Sequence, residues 1–328
     1  MKILHVVPEI NEANGVYQVA RDLARESGGE LIDCSDCSMV RLRDGGYDEV
    51  WVHGMWLPRE WRACWNVLAI QASNLKRQTS NVKPSLIRMT HGSLSPIYLE
   101  RQGKWKKRLV GPIERWLLRR ADRVVVTCEA EKRWIEAYLG KRRPEIVVED
   151  LKRFFDFSGT SGEDAASPLS CGNEFVTHVL YLGRRHPLKG VNYLEQAVEE
   201  LNQSFEHSEQ SNNRTIDLRI VSDHFGEELE KDWAWCDVLC LPTLSENFGR
   251  VVAEALERGK RVVTTDGAPA WGDEVKGEGE PWRSRLVYLR GYRDGTDEER
   301  VQLLKNAIAT LALRMLEASR RIRMSFGT

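Results

Sequence analysis

Short apolar segments alternate with helical patterns along the first half of this chain of 328 residues. The apolar segments have the length of buried strands, and the segments between them have helical periodicity. Strands are predicted at 2–7, 49–53, 86–90, 123–127 and 145–148, and helices near 16–25, 60–76, 105–120 and 130–138. This alternation favours a parallel sheet covered by helices on both faces. The first half is therefore predicted to be a Rossmann-like α/β domain.

The alternating pattern stops once and then begins again. Residues 158–173 are rich in Ser, Gly and Ala, which predicts a linker. After it come predicted strands at 176–182, 216–221, 238–241 and 261–265, a helix at 191–201, a polar loop at 204–214 and a terminal helix near 298–322. The chain is long enough for two cores. We expect an α/β protein with domains at 1–157 and 174–298, the linker between them, and a C-terminal helix at 299–328.

Composition excludes several classes of protein. The formal net charge of −1 leaves no basic excess, so we expect no nucleic-acid partner. No apolar run is long enough to span a membrane and no signal peptide is visible, which favours a cytoplasmic protein. The seven cysteines are irregularly spaced, and the Cys34–Cys37 pair has no second pair of metal ligands after it. We therefore predict reduced cysteines and no metal site.

The segment 245–256 carries the most specific signal. It follows the strand 238–241, and a helix is predicted with Ser245 as its N-cap and Gly259 after its last turn. Glu246 lies in the loop, Glu254 lies in the helix, and seven residues separate them. The backbone N–H groups predicted to bind a phosphate at the helix N-terminus are those of Asn247, Phe248 and Gly249. Two carboxylates beside an anion site suit a sugar nucleotide, although by spacing alone an ordinary exposed helix is the alternative.

This pattern resembles a known signature. E-x7-E after a strand that ends in Leu241-Pro242-Thr243, with 263–269 (VTTDGAP) further on, is similar to retaining glycosyltransferases of the GT-B fold that build lipopolysaccharide and exopolysaccharide. The resemblance implies two Rossmann-like domains facing a cleft, the first on the acceptor side and the second binding the nucleotide sugar. It also implies that Glu246 holds hydroxyls of the transferred sugar and that Glu254 holds those of the ribose.

A basic loop follows the first strand of the second domain. Residues 183–190 (GRRHPLKG) resemble the family's G-R-x(n)-K-G loop. The resemblance assigns Arg184 and Lys189 to the donor diphosphate, where fixed cations stabilise charge on the departing nucleotide. Arg185 is a second candidate, and a solvated basic turn is the alternative.

Two first-domain loops resemble family elements as well. Asn14 and Gly15 stand where the family commonly has Gly-Gly, so the backbone at Gly15 is expected to approach the donor diphosphate. Residues 90–96 (THGSLSP) resemble the element P-H-G-x-L-x-P, which places His91 near the transferred sugar. A lone histidine is otherwise a structural hydrogen-bonder. His53 is a further candidate, for contact with the acceptor or for a structural role.

The segment 105–120 is an amphipathic, strongly basic helix. Its apolar positions at helical spacing are Trp105, Leu109, Ile113, Trp116 and Leu117. A basic helix with tryptophan on its apolar side can lie on anionic lipid. The interpretation that we favour buries the apolar stripe in the domain core and leaves the basic face for a membrane.

Together these features predict a retaining glycosyltransferase that moves a sugar from a nucleotide-diphosphate sugar to a saccharide or lipid-linked acceptor in surface polysaccharide biosynthesis. No D-x-D triad occurs in the chain, so we expect no metal and no cofactor other than the donor substrate. The protein is expected in the cytoplasm, in peripheral contact with the inner face of the cell membrane. The alternatives are an epimerase or hydrolase of the same fold, and a non-catalytic nucleotide-sugar-binding subunit. The short segment between Val221 and Trp233, where relatives carry an extra strand and helix, keeps the last alternative open.

Overall fold

The computed structural model describes residues 1–77, 83–101, 104–158, 175–207, 214–272 and 281–326. The chain divides into two compact units, Met1–Phe154 and Phe155–Thr328. Positions 159–173 of the predicted linker, and 208–213 of the predicted polar loop, lie outside the described residues.

Unit one is built on a six-stranded parallel sheet. Its strands are β1 (Ile3–Val7), β2 (Glu30–Asp33), β3 (Glu49–His53), β4 (Ser85–Met89), β5 (Arg123–Val126) and β6 (Glu145–Val148). Its helices are α1 (Gly15–Ser27), α2 (Met39–Gly45), α3 (Pro58–Arg77), α4 (Pro96–Arg101), α5 (Lys104–Arg120) and α6 (Glu129–Leu139). The strand order is β2-β1-β3-β4-β5-β6, with every pair parallel. The central strands are buried along nearly their whole length, as expected for a sheet that helices cover.

Unit two is a five-stranded parallel sheet. Its strands are β7 (Phe175–Leu182), β8 (Arg214–Val221), β9 (Val238–Leu241), β10 (Arg261–Thr265) and β11 (Leu286–Leu289). Its helices are α7 (Val191–Glu206), α8 (Glu227–Trp235), α9 (Arg250–Glu257) and α10 (Asp297–Phe326). The order is β11-β10-β9-β7-β8, again with parallel pairing. The carboxyl ends of β7, β9 and β10 therefore lie side by side at one edge of the sheet.

The structure confirms the α/β class and every strand and long helix predicted from the sequence. It adds five short elements that the sequence analysis missed, namely β2, β11, α2, α4 and α8. The strand β2 has acidic residues at both ends, which hides its apolar centre from a pattern search. The segment between Val221 and Trp233 was expected to be too short for the extra strand and helix of relatives; among its residues, all of which the structure describes, it holds the helix α8 and no strand, so for the helix this expectation was wrong. So was the predicted start of the polar loop, because α7 continues to Glu206 with its polar residues on the solvent side.

Candidate active site

Loops that follow β7, β9 and β10 lock together in unit two. The carbonyl oxygen of Leu188 accepts hydrogen bonds from the Leu244 backbone N–H at 2.8 Å and from Thr243 Oγ1 at 3.1 Å. Gly190 has a φ of +65°, and a Cβ there would lie 2.0 Å from the Pro242 carbonyl oxygen. A Cβ on Gly267 would lie 2.1 Å from the Thr243 carbonyl oxygen. Both glycines are therefore required by close backbone approach, which holds the three loops at one place.

The lock brings two predicted site residues into contact. Lys189 Nζ donates a hydrogen bond to Glu246 Oε2, and the backbone N–H of Glu246 is held by the Gly267 carbonyl oxygen at 2.8 Å. The other carboxylate oxygen of Glu246 accepts from the Asn247 N–H at 3.0 Å. Both Lys189 and Glu246 are half-buried. The predicted backbone donor at Asn247 thus orients the Glu246 carboxylate in this structure.

Charge keeps Glu246 ionised. Burial raises its pKa, but the Lys189 ammonium, the Asn247 N–H and the Arg184 guanidinium outweigh burial, so the pKa lies below its ordinary value. Burial and the Glu246 charge together raise the pKa of Tyr181, whose hydroxyl donates to the Arg184 carbonyl oxygen at 2.9 Å. Tyr181, which the sequence analysis did not single out, therefore fixes the backbone that carries Arg184.

Arg184 and Arg185, in the loop after β7, differ in their ion-pair partners. Arg184 is exposed, and no carboxylate of the described residues lies within ion-pair distance of it. Arg185 forms a two-pronged pair with Glu195 on α7, at 2.7 and 3.2 Å. The structure thus leaves the Arg184 side chain beside the Glu246 charge and directs that of Arg185 towards α7.

The helix α9 begins later than predicted. Gly249, with a φ of +66°, is its N-cap, so the assignment of Ser245 to this role was wrong. Glu246 lies in the loop and Glu254 in the helix, as predicted. Glu254 Oε1 accepts from Arg250 Nε at 3.0 Å, and Arg250 lies over the Phe155 ring. The carboxylate assigned to the ribose is therefore already oriented by a neighbouring cation.

Phe248 belongs to an aromatic cluster beneath the loop. Its side chain is buried, and its ring lies 5.4 Å from that of Trp271 and 6.1 Å from that of Phe155. The Trp271 indole N–H donates to the Phe248 carbonyl oxygen at 2.5 Å. Phe248 can therefore meet a ligand only through its backbone, and its side chain supports the loop.

In unit one, Asn14 caps the N-terminus of helix α1. It is the N-cap of α1, and its Oδ1 accepts from the Val16 N–H at 2.9 Å. Around Gly15 there is open space, because a Cβ there would find nothing within 4 Å. The Asn14 side chain thus serves as a helix cap, while space around the backbone at Gly15 stays open.

His91 follows β4 in an unusual backbone conformation. Its φ is +50°, which is strained for a residue with a Cβ. The buried carboxylate of Glu131 holds the loop on both sides of it, accepting from Thr90 Oγ1 at 2.6 Å and from the Gly92 N–H at 2.5 Å. Its other oxygen accepts from the Thr127 N–H at 2.9 Å. The sequence analysis missed Glu131, because the N-cap of α6 is Cys128 and the chain therefore lacks the Ser or Thr that marks a capping box.

His53 is fully buried, which favours the structural role over contact with an acceptor. Its Nδ1 lies 3.0 Å from His91 Nε2 instead. His53 therefore has a structural role, and its hydrogen-bond partner is His91, the histidine predicted to lie in the site.

The apolar stripe of α5 is not in the core, contrary to the favoured interpretation. Trp105 is 77% exposed and Leu109 80%, and Ile113 and Trp116 are exposed too. Of the stripe, only Leu117 is buried. The Trp116 ring stacks on the exposed Trp65 of α3 with centroids 4.6 Å apart. Helix α5 therefore presents aromatic and aliphatic side chains to solvent.

The six cysteines within the described ranges are free and buried. Burial raises the pKa of Cys37 to about 12, which keeps this thiol protonated. In the part of the chain that the structure covers, no group of three or more His, Cys, Asp or Glu side chains could hold a metal ion. No helix in that part is long and apolar enough to cross a membrane.

Comparison with known structures places this architecture. HepE of Anabaena, solved with UDP and glucose, is 16% identical with a TM-score of 0.50, covering 100% of this chain and 99% of that one. The E. coli trehalose-6-phosphate structure bound with UDP-2-fluoro glucose is 10% identical with a TM-score of 0.62, covering 97% and 93%. An α,α-trehalose-phosphate synthase (UDP-forming) of Burkholderia vietnamiensis is 12% identical with a TM-score of 0.58, covering 99% and 97%. The fold is that of the GT-B class, with two α/β units that each contain a parallel sheet.

At the level of sequence, residues 37–149 match the family model of the glycosyl transferase 4-like domain. The match covers α2 to β6 of unit one, including His53, His91 and Glu131. No curated protein matches the chain.

Proposed function

We propose that this protein is a glycosyltransferase that uses a nucleotide-diphosphate sugar, with UDP as the first nucleotide to test. The observation that carries the proposal is the contact between Lys189 and Glu246 at the carboxyl ends of β7 and β9. In open α/β sheets this edge is where ligands bind. The glycosyl transferase 4-like match in unit one and the UDP in the HepE structure support the same reaction class.

The chemistry follows from the charges. Glu246 stays ionised and accepts hydroxyl hydrogens of the transferred sugar. Lys189 and Arg184 neutralise the diphosphate as the bond to the sugar breaks, which stabilises the departing nucleotide where its charge develops. Glu254, oriented by Arg250, binds the ribose hydroxyls. His91 binds the transferred sugar, and the open backbone at Gly15 approaches the diphosphate.

We propose that the anomeric configuration is retained and that no metal is needed. The acceptor attacks from the face that the nucleotide leaves, and a donor phosphate oxygen takes the acceptor's proton. The transition state is oxocarbenium-like, so the protein acts mainly by positioning and by charge stabilisation. Paired fixed cations beside the Glu246 carboxylate support this assignment, because they supply the positive charge that a metal ion supplies elsewhere.

A donor panel read by nucleotide release tests the reaction class. The purified chain is incubated with UDP-, GDP-, ADP- and dTDP-sugars, with and without saccharide acceptors, and products are identified by mass spectrometry. We expect acceptor-dependent release from one donor and the same anomeric configuration in product and donor. Release without an acceptor would favour a hydrolase, and isomerised donor an epimerase. Tight binding of a donor with no turnover would favour a non-catalytic subunit. Loss of activity in chelator that manganese restores would overturn the metal-free mechanism.

We further propose that α5 docks on an anionic membrane surface from the cytoplasmic side, where a lipid-linked acceptor of surface polysaccharide would lie. The exposed stripe Trp105, Leu109, Ile113 and Trp116 falls on one helix face by its spacing. Exposed arginines flank this face at positions 108, 115 and 120, and Arg120 lies 5.1 Å from the Trp116 ring. Aromatic and basic side chains on one face match the interface of an anionic bilayer.

One lysine of α5, Lys107, is engaged within unit one, so we do not count it among the cations that would bind the membrane. Lys107 Nζ donates to the Tyr98 carbonyl oxygen at 2.9 Å and lies over the Tyr98 ring, and burial lowers its pKa to about 8. Lys107 thus stabilises the α4–α5 junction, and Arg108 remains available to lipid. Each cation near an anionic surface contributes about 1 kcal/mol, and the apolar stripe adds a part that salt does not screen.

Vesicle co-sedimentation tests the docking. We expect binding to phosphatidylserine-containing vesicles at low salt and weaker binding to neutral vesicles. We also expect partial retention on the anionic vesicles at about 0.5 M salt, where the Debye length is shorter than about 8 Å and exposed charges are largely screened. Replacing Trp105 and Leu109 by Gln should remove the salt-resistant part, and Arg108→Gln the salt-sensitive part. Arg143→Gln, on the loop after α6, is the control. Equal recovery on neutral and anionic vesicles, or a dimer that dissociates in the Trp105 and Leu109 variant, would overturn the proposal.

A further inference from the structure

Three histidines of unit one form a continuous chain of hydrogen bonds. His91 Nε2 lies 3.0 Å from His53 Nδ1, and His53 Nε2 lies 3.0 Å from His5 Nδ1. His5 and His53 are buried, and His91 is half-buried after the end of β4. The chain thus runs from the carboxyl edge of the sheet, where His91 lies, into the interior.

The strand register explains the line. In the β1–β3 pair, His5 lies beside Trp51, and His53 comes two residues later on the same face. In the β3–β4 pair, His53 lies beside Met89, and His91 comes two residues after Met89. From each histidine to the next, the position moves to the neighbouring strand and two residues towards the carboxyl end. The three imidazoles therefore lie along a diagonal on one face of the sheet.

The protonation of the three rings limits the directions in which their hydrogen bonds can run. Burial lowers the pKa of His5 to about 4 and that of His91 to about 3, and burial with the neighbouring His91, His5 and Arg88 charges lowers that of His53 well below its ordinary value. All three rings are therefore neutral at pH 7, each with one N–H and one acceptor nitrogen.

Two arrangements are open to three neutral rings, and they differ at the buried end. His5 Nε2 is buried and has no hydrogen-bond partner among the residues that the structure includes. If the bonds ran inward, this atom would be an unpaired N–H. If they run outward, from His5 to His53 to His91, it is an unpaired acceptor. Buried unpaired donors are the rarer case, so the outward direction is favoured.

We propose that His53 and His5 are positioning residues that fix His91 as the tautomer with its hydrogen on Nδ1. His91 Nε2 accepts from His53, and His91 Nδ1–H is the group left for a ligand. This inference rests on the proposed role of His91 at the transferred sugar, and it specifies that role. His91 donates a hydrogen bond to a sugar oxygen, and it acts neither as a cation nor as a base.

Nitrogen NMR on the full-length, ¹⁵N-histidine-labelled protein tests the tautomer without any substrate. His91→Gln identifies the His91 signals by their loss. At pH 7.5 we expect a protonated Nδ1 and an unprotonated Nε2 for His91. A protonated Nε2 in the wild-type protein would overturn the proposal.

Two substitutions of His53 separate positioning from packing. The amide nitrogen of His53→Asn falls near the position of Nδ1 and can still donate to His91, whereas that of His53→Gln falls near Nε2 and faces His5. We expect His53→Asn to keep the His91 tautomer and His53→Gln to shift it towards the Nε2–H form that free imidazole prefers. An unchanged tautomer in folded His53→Gln would contradict the proposal. If that variant does not fold, loss of the tautomer in folded His53→Asn would contradict it as well.

Kinetics give a second test once a donor is known. We expect His53→Gln to lower kcat about tenfold with little change in the donor KM, and His53→Asn to restore most of it, because only the orientation of His91 changes. Equal loss in both variants would show that His53 acts only in packing. If no donor turns over, the proposed function fails while the NMR result still decides the tautomer.

Discussion

Lys189 and Glu246 are 57 positions apart in the sequence, and the ammonium of one donates directly to the carboxylate of the other. The contact exists because β7 and β9 are neighbours in the sheet and their following loops lock at Gly190 and Leu188. The hydrogen bond restrains both side chains. In the proposed reaction a donor diphosphate would share Lys189, and a cation that is already held in place is what preorganised charge stabilisation requires.

The first prediction concerns Glu246. Glu246→Gln keeps the shape and removes the charge, so we expect turnover to fall about 100-fold or more, a few kcal/mol of lost transition-state binding. Nucleotide release with the active donor measures it. Glu228→Gln, an exposed carboxylate on α8, is the control and should not change turnover. Activity of folded Glu246→Gln close to that of this control would remove Glu246 from the site.

The second prediction concerns the coupling of Lys189 to Glu246. Lys189→Met leaves a half-buried carboxylate without its cation, and we expect it to raise the Glu246 pKa and to weaken UDP binding. Stability at pH 7.5 should show a coupling of about 1–3 kcal/mol in a double-mutant cycle with Glu246→Gln. Urea unfolding of the four proteins measures it. Additive effects would mean that the contact contributes nothing to the fold.

The third prediction tests the loop lock. Gly190→Ala must place a Cβ 2.0 Å from the Pro242 carbonyl oxygen at a positive φ, so we expect a loss of about 2 kcal/mol or more of unfolding free energy. Gly111→Ala in α5 is the matched control, since its Cβ would meet only the Tyr138 hydroxyl at 3.4 Å. Urea unfolding should find that control unchanged or slightly stabilised. Equal stability of the two variants would contradict the lock.

The fourth prediction concerns acid stability. The His5 pKa is about 4 in the folded protein and 6.5 without burial, so the unfolded chain takes up this proton first as the pH falls. The contribution of neutral His5 to the free energy of unfolding is therefore fully present above pH 6.5. It decreases as the pH falls from 6.5 to 4, by about 3 kcal/mol for this group. His5→Leu should reduce the pH dependence of urea unfolding in that window, and the exposed His207→Gln should leave it unchanged. Identical slopes for His5→Leu and the wild-type protein would show that the pKa of His5 is the same in the folded and unfolded states.

The sequence by itself determined the α/β class and the positions of most strands along the chain, because apolar runs of strand length alternate with helical periodicity and each pattern is local. It also located the segments at 14–15, 91, 184–189 and 246–254, since turn residues and charged groups follow predicted strands. The roles assigned to these loops stay predictions for the experiments above.

Only the tertiary structure decided which of these residues touch. Strand order is not written in a local pattern, so the sequence could not show that β1, β3 and β4 align His5, His53 and His91, or that β7 and β9 join Lys189 to Glu246. It could not tell the exposed stripe of α5 from a buried one either. Helical spacing defines a face, but only the packing of the other elements decides whether that face meets the core or solvent.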